Sequence, residues 1–189
     1  MRHALATLAI FILATSSFAL SPAAPARSKP VVIQEPLPVV PGTLEEMYST
    51  ADEVLEVEIL SSTARAVGDP NKPFVRTFYT ADVLRCRKGS QRKQVVFTQS
   101  AGDVEFPDHI LHASGEPLKA GERYVVFLRL NELFGGRILV GERSGAFMIR
   151  NGRIEPQGFG KLADEQRNLT ERSFGDELER LSKRSMRKN

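Results

Sequence analysis

The chain has 189 residues, 41% hydrophobic and 26% charged, the makeup of a globular protein with one core. The formal net charge is +3, and with Arg2 assigned to a leader the remainder is close to balance. It lacks the clustered basic stripe with interleaved aromatics that a nucleic-acid interface uses, so no nucleic-acid partner is expected. Cys86 is the single cysteine, which excludes an internal disulfide and leaves stability to the apolar core.

Met1-Arg2-His3 supplies a short basic region, and residues 4–14 (ALATLAIFILA) an apolar run followed by small residues. This is the grammar of a secretory signal. Residues 1–19 are read as a signal peptide cleaved after Ala19, in Ser17-Phe18-Ala19, with Ala23, Ala24 and Ala26 as alternatives. The run is shorter than the ~20 residues a bilayer crossing needs. The expectation is an exported protein, periplasmic or extracellular, with no membrane span after cleavage. A lipid anchor would need a cysteine at the cleavage point, and Cys86 lies far downstream. Residues 20–42 are rich in proline, which fixes φ and removes donors, and read as an extended linker. Alternatively, Val31, Val32, Val39 and Val40 pack an edge against the domain.

A domain is expected over residues 43–156. Thr43 and Glu46 stand at capping-box spacing, and Leu44, Met47 and Tyr48 make one apolar face of a short helix ending near Thr50 or Ala51. Leu55, Val57 and Ile59 then alternate with Glu56, Glu58 and Leu60, which predicts a first strand, to about Ala64, with one face buried and one mostly wet. Gly68, Asp69, Pro70, Asn71 and Pro73 predict a loop. A second strand follows over 75–86, with the apolar phase slipping near Val83-Leu84 as a β-bulge makes it do. A bulge bends a long strand toward barrel closure. A turn at Lys88-Gly89-Ser90 leads to a third strand over 94–99.

Between Ser100 and Gly121 periodicity disappears, and the segment reads as one long connection, of the kind that usually carries function. The turn residues Gly115, Glu116, Pro117, Ala120 and Gly121 feed the most hydrophobic strand candidate, 124–130. Beyond Gly135-Gly136 a fifth strand spans 137–140. Residues 146–150 pair with 153–155 across Asn151-Gly152, since a type I′ turn needs positive φ at both positions. Residues 157–189 read as a polar tail with a last helix capped by Ser173 and Asp176, in which Leu178 and Leu181 share a thin apolar face.

The chemistry-bearing candidates lie in the long connection: Asp103, Glu105, Asp108, His109 and His112. They are read first as a binding surface. The alternative is a small metal-dependent hydrolase in which His109, His112 and Asp108 hold zinc, as imidazoles and a carboxylate do in open catalytic sites. Metalloproteases, however, space two histidines four apart on a helix with a Glu beside the first, and here the spacing is three after Pro107. Ser144, in Gly141-Glu142-Arg143-Ser144-Gly145, stands one place too late for a nucleophile elbow. Cys86 reads as a small hydrophobe, or as a reactive thiol if it faces water beside Arg85 and Arg87. Phe74, Phe78, Tyr79 and Phe97 read as core, or as a stacking surface on the barrel. No catalytic set and no cofactor is implied.

Helix, three meandering strands, a long connection, a strand and a closing hairpin together suit a mainly β fold, a small five- to six-stranded OB-like barrel with a short N-terminal helix and a C-terminal helix. Ala51-Asp52-Glu53-Val54, Val83-Leu84 before Lys88-Gly89, and Ala120-Gly121-Glu122-Arg123-Tyr124-Val125-Val126-Phe127-Leu128 resemble a family of exported bacterial proteins. That family's barrel is similar to the OB fold of the netrin module and the tissue-metalloproteinase inhibitors. The resemblance covers about residues 43–156 and implies a fold more than a function. Those inhibitors act through a mature N-terminal cysteine and are held by disulfides, both missing from this sequence. The expectation is an exported non-enzymatic binding domain for a protein or envelope component.

Overall fold

The computed structural model describes residues 31–32, 40–131 and 136–188. The predicted signal peptide and most of the predicted linker lie outside the described residues. In chain order the elements are β1 (Val31–Val32), α1 (Leu44–Thr50), β2 (Glu53–Asp69), β3 (Lys72–Lys88), β4 (Gln94–Gln99), β5 (Gly102–Glu105), β6 (Ile110–Ala113), β7 (Arg123–Asn131), β8 (Gly136–Leu139), a 3-10 turn (Glu142–Gly145), β9 (Ala146–Arg150), β10 (Arg153–Pro156), α2 (Lys161–Gln166) and α3 (Glu171–Lys188).

Five strands close into a barrel that runs β7-β2-β3-β4-β8 and back to β7, and β9 and β10 extend the sheet beside β7. All the barrel pairs are antiparallel except β4 with β8. Closure needs β7 to divide one edge: residues 123–126 pair with β9 and residues 128–131 with β8. The β2–β3 pairing skips Leu84 and Arg87 on β3 and Leu60 on β2, so the slip predicted near Val83-Leu84 is one of three irregularities that bend these 17-residue strands.

The predicted 68–73 loop is mostly strand. Pairing continues to Asp69 opposite Lys72, and Pro70 and Asn71 alone make the turn. Gly68 permits this: its φ is +93°, and a Cβ there would lie 2.6 Å from the Phe74 ring. The hairpin therefore runs on past the barrel as a two-stranded arm. The predicted Asn151-Gly152 hairpin is present, with φ of 52° and 70° at the two turn positions.

The strands bury two faces. Inside the barrel lie Leu55, Val57, Ile59, Tyr79, Phe97, Tyr124, Val126 and Leu128. The other face of β2 is not wet as predicted, and that of β7 is buried with it: Val54, Val125 and Phe127 pack under the helices, against Leu44, Met47 and Tyr48 of α1 and Phe174, Leu178 and Leu181 of α3. Phe174, missed in the sequence, is the residue that makes the face of α3 wide enough to dock. The predicted cap is also displaced: Thr170 Oγ1 accepts the Ser173 amide at 3.1 Å, so the helix starts three residues before Ser173 would start it. The tail contains a further unpredicted helix, α2, with Leu162 and Ala163 buried.

Capping of α1 is likewise close to prediction but not identical. Thr43 Oγ1 accepts the Glu46 amide at 3.1 Å, while the Glu46 carboxylate takes the amide of Gly42, at 2.8 Å, instead of that of Thr43. At its other end α1 has no basic residue of its own. Lys88 supplies one from β3, its Nζ donating to the carbonyls of Tyr48 (2.8 Å) and Ala51 (2.6 Å). Burial holds the Lys88 pKa below its ordinary value.

The turn that feeds β7 is a plug. Leu118 inserts into the barrel core, its amide donates to the Tyr79 hydroxyl at 3.0 Å, and the Lys119 amide donates to the Tyr124 hydroxyl at 3.0 Å. Gln99 Nε2 donates to the Glu116 carbonyl and Arg143 holds the Glu116 carboxylate. The barrel mouth is closed by the chain's own backbone.

Burial pushes the Tyr79 phenol up to about 12. Its folded pKa lies above the ordinary value of 10, so the stability linked to its proton is whole below about pH 10 and is lost as pH rises toward 12. Denaturant midpoints measured against pH should fall through that window, and Tyr79→Phe should flatten the fall while lowering neutral-pH stability by ~1–3 kcal/mol through the orphaned Leu118 amide. Leu118→Ala should cost ~2–4 kcal/mol, read from the same unfolding curves.

Candidate functional site

The predicted site residues fall on a second sheet. Where the sequence suggested a structureless connection, β5 and β6 form a hairpin, Asp103 opposite His112, Val104 opposite Leu111 and Glu105 opposite Ile110. On its other edge β6 pairs in parallel with β1, Val31 opposite Leu111 and Val32 opposite His112. Thus two of the linker's valines lie at a sheet edge of the domain.

Alternation decides what the hairpin shows. Leu111 and Ala113, with Val104 beside them, pack onto Ala64, Ala66 and Val75 of the β2–β3 arm. The opposite face presents Asp103, Glu105 and His112, all exposed. His112 Nδ1 is hydrogen-bonded to the Asp103 carboxylate across the strands. The turn 106–109 is closed by the Phe106 amide donating to the His109 carbonyl at 2.8 Å. Its rings stack face to face, centroids 4.8 Å apart and planes 3° from parallel. Asp108 Oδ1 lies 2.7 Å from His109 Nδ1, and this bond holds the Asp108 carboxyl below its usual pKa range.

The structure therefore brings Asp103, Glu105 and His112 together and sets Asp108 and His109 apart in the turn. His109 lies in the turn before β6, its ring stacked on Phe106 and bonded to Asp108, whereas His112 lies within β6 and bonds Asp103. Among the described residues no three His, Cys, Asp or Glu side chains are grouped to hold a metal ion.

The other sequence candidates resolve structurally. Ser144 lies in the 3-10 turn that follows Gly141 and Glu142, whose φ values are 62° and 53°. That strain has a clear anchor in the Glu142 carboxylate, which takes Arg76 at 3.1 Å and the Ser100 amide at 2.7 Å. Cys86 is half-buried against the barrel core, its thiol 3.5 Å from the Lys88 carbonyl. Tyr79 and Phe97 stack inside the barrel at 5.1 Å, whereas Phe78 lies half-buried under Arg65, so the four aromatics do not form one surface.

Sequence reasoning missed a groove between α3 and the barrel wall, lined by arginines from positions 85, 87, 123 and 172. Only the Arg85-Cys86-Arg87 pair is close in sequence, and nothing local marks the other two as neighbours.

The sequence matches no known protein family and no curated protein.

Leu111→Ala should remove the hairpin's main anchor at a cost of ~2–3 kcal/mol. Amide exchange is expected to accelerate across residues 102–113 while the protection of β2 and β7 stays near that of the wild type. Equal acceleration in the barrel strands would show that the hairpin is part of one cooperative unit with the barrel.

Proposed function

We propose that the chain is an exported, non-enzymatic binding module on an OB-type barrel, which takes a protein or envelope component at the exposed face of the β5–β6 hairpin. The reading is carried by one observation: the hairpin is anchored by its apolar face on the β2–β3 arm and offers Asp103, Glu105, His112 and the stacked Phe106–His109 turn to solvent. Three carboxylates within it, Asp103, Glu105 and Asp108, favour a partner with a basic patch. Phe106, 37% exposed, supplies an aromatic contact in the turn that joins β5 and β6.

Support for the OB-type reading comes from closure in the order first, second, third, fifth, fourth barrel strand, with the third and fifth parallel and the first two long and bulged. The inhibitory chemistry of the metalloproteinase inhibitors is not part of the proposal, since Cys86 lies within β3. Export rests on the leader pattern in residues 1–19. Among the described residues no helix is long and apolar enough to cross a membrane.

Two measurements test the reading. Protein expressed with its own leader should be recovered outside the cytoplasm beginning at Leu20, as read by intact mass, and recovery confined to the cytoplasm with Met1 in place would overturn export. Affinity capture from envelope extract should return a partner that is lost when Phe106→Ala and Asp103→Asn are combined. Capture that survives those substitutions, or returns nothing above a bare-matrix control, defeats the assignment of the hairpin face.

A further inference from the structure

A groove of about 550 Å³ runs between the N-terminal half of α3 and the outer wall formed by β2, β3 and β7. Glu56 lies in it, 6% exposed, and two guanidinium groups hold that carboxylate: Arg123, and Arg87 at 3.4 Å. Arg123 also reaches Glu171 at 2.9 Å. These contacts leave donors over. The Nε–H groups of Arg87 and Arg123 are both buried without an acceptor. In a native structure such orphaned donors are rare and call for an explanation.

Two more arginines line the same groove, Arg85 from β3 and Arg172 from the first turn of α3. Among the described residues neither has an ion pair or a side-chain hydrogen bond. The acidic lining is almost wholly committed: Glu56 and Glu171 to the arginines above, and Glu179 to Lys183 at 2.7 Å. Among the described residues Asp176 is the one carboxylate there without a partner. Uncommitted charge is thus two guanidinium groups against one carboxylate.

Backbone geometry adds to the bias. The first turn of α3, an 18-residue helix, faces the groove through Thr170, Glu171 and Arg172, which brings the positive end of the helix dipole to it. Gly175, within the helix, is where the Arg87 guanidinium passes: a Cβ there would stand 3.3 Å from its Nη2. Glycine at a helix interior costs ~1 kcal/mol against alanine, and at this position it gives Arg87 the room to lie against the helix.

We propose that this groove binds a phosphate-bearing ligand, Arg85 and Arg172 taking the phosphate oxygens while Arg87 and Arg123, paired with Glu56 and Glu171, form the wall behind them. Paired guanidinium forks match phosphate oxygens in geometry as well as charge. The phosphate can belong to a soluble phosphomonoester or to a lipid headgroup, since both present the same oxygens. The site is separate from the β5–β6 hairpin, which packs on Ala64, Ala66 and Val75 of the β2–β3 arm.

The test uses the full mature chain and two probes, inorganic phosphate followed by amide chemical shifts, and sedimentation with vesicles of phosphatidylglycerol or of phosphatidylcholine. Phosphate is expected to shift the amides of Gly152, Arg172 and Gly175 saturably, at constant ionic strength set with chloride. Arg85→Gln combined with Arg172→Gln should weaken that binding about tenfold or more, whereas Asp176→Asn should tighten it by about threefold or more through loss of a repelling charge. Arg129→Gln, an exposed arginine outside the groove, serves as the charge control and should leave it unchanged. Sedimentation with phosphatidylglycerol but not phosphatidylcholine, lost in the double variant, identifies a headgroup; saturable phosphate binding without sedimentation identifies a soluble ligand. The proposal is overturned if phosphate acts no differently from chloride, or if Arg129→Gln weakens binding as much as the groove substitutions do. Hairpin-dependent capture should be unaffected by the groove variants, so failure at one surface is distinguishable from failure at the other.

Discussion

β7 is the strand on which the structure turns, because both its faces and both its edges are committed. Tyr124, Val126 and Leu128 fill the barrel, while Val125 and Phe127 point under the helices. One edge pairs with β2 and the other is divided between β9 and β8. A slip of one residue would exchange the two faces and carry the Tyr124 hydroxyl out of the barrel. That hydroxyl accepts the Lys119 amide, and an unmet buried polar group costs ~1–3 kcal/mol. Register in β7 and the seating of the Leu118 plug therefore stabilise one another.

A chain without disulfides holds its seams with buried ion clusters. Glu53 is gripped by Arg92 and Arg137, which joins β2 to the β3–β4 turn and to β8. Glu56 joins β2 to β3 and β7 through Arg87 and Arg123, and Glu142 joins the 3-10 turn to β3 through Arg76. Such clusters contribute little against an apolar substitute, yet losing one member leaves an uncompensated charge at ~3–5 kcal/mol. Their value is in fixing which segment meets which. The Glu56 cluster differs from the Glu53 and Glu142 clusters in that the Nε–H groups of its two arginines are buried without an acceptor.

Where a strand had one long alternating run, the sequence was readable: Leu55, Val57, Ile59, Tyr124 and Val126 all point into the barrel core as their period requires. So was the Asn151-Gly152 turn, which has few other conformations open to it. The second buried face of β2 was not readable, because Glu56 looks wet until Arg87 of β3 and Arg123 of β7 are placed on it. The β5–β6 hairpin was hidden for a different reason. Each strand has four residues, too short for a period to emerge, and Pro107 and Gly102 break the pattern at both ends. The candidate residues in that stretch were identified one by one, but their pairing depended on register: Asp103 meets His112 because they are cross-strand neighbours, while His109, before β6, stays with Phe106 and Asp108 in the turn.

The filled interior constrains where recognition can occur. A five-stranded barrel encloses little more than its own side chains, and here Leu118 and the tyrosine-bound amides of the plug close the mouth. The two proposed sites therefore lie on the outer surface, and they differ in kind. The hairpin presents carboxylates and an aromatic stack on a face whose reverse side is buried, so its shape is set before any partner arrives and little ordering entropy is lost on contact. The groove presents guanidinium groups held by Glu56 and Glu171, so its charge is already oriented and its desolvation already partly met. The hairpin is anchored through Ala64, Ala66 and Val75, well along the β2–β3 ribbon from the Arg85 and Arg87 that line the groove. The two surfaces can therefore be occupied without competing for the same side chains.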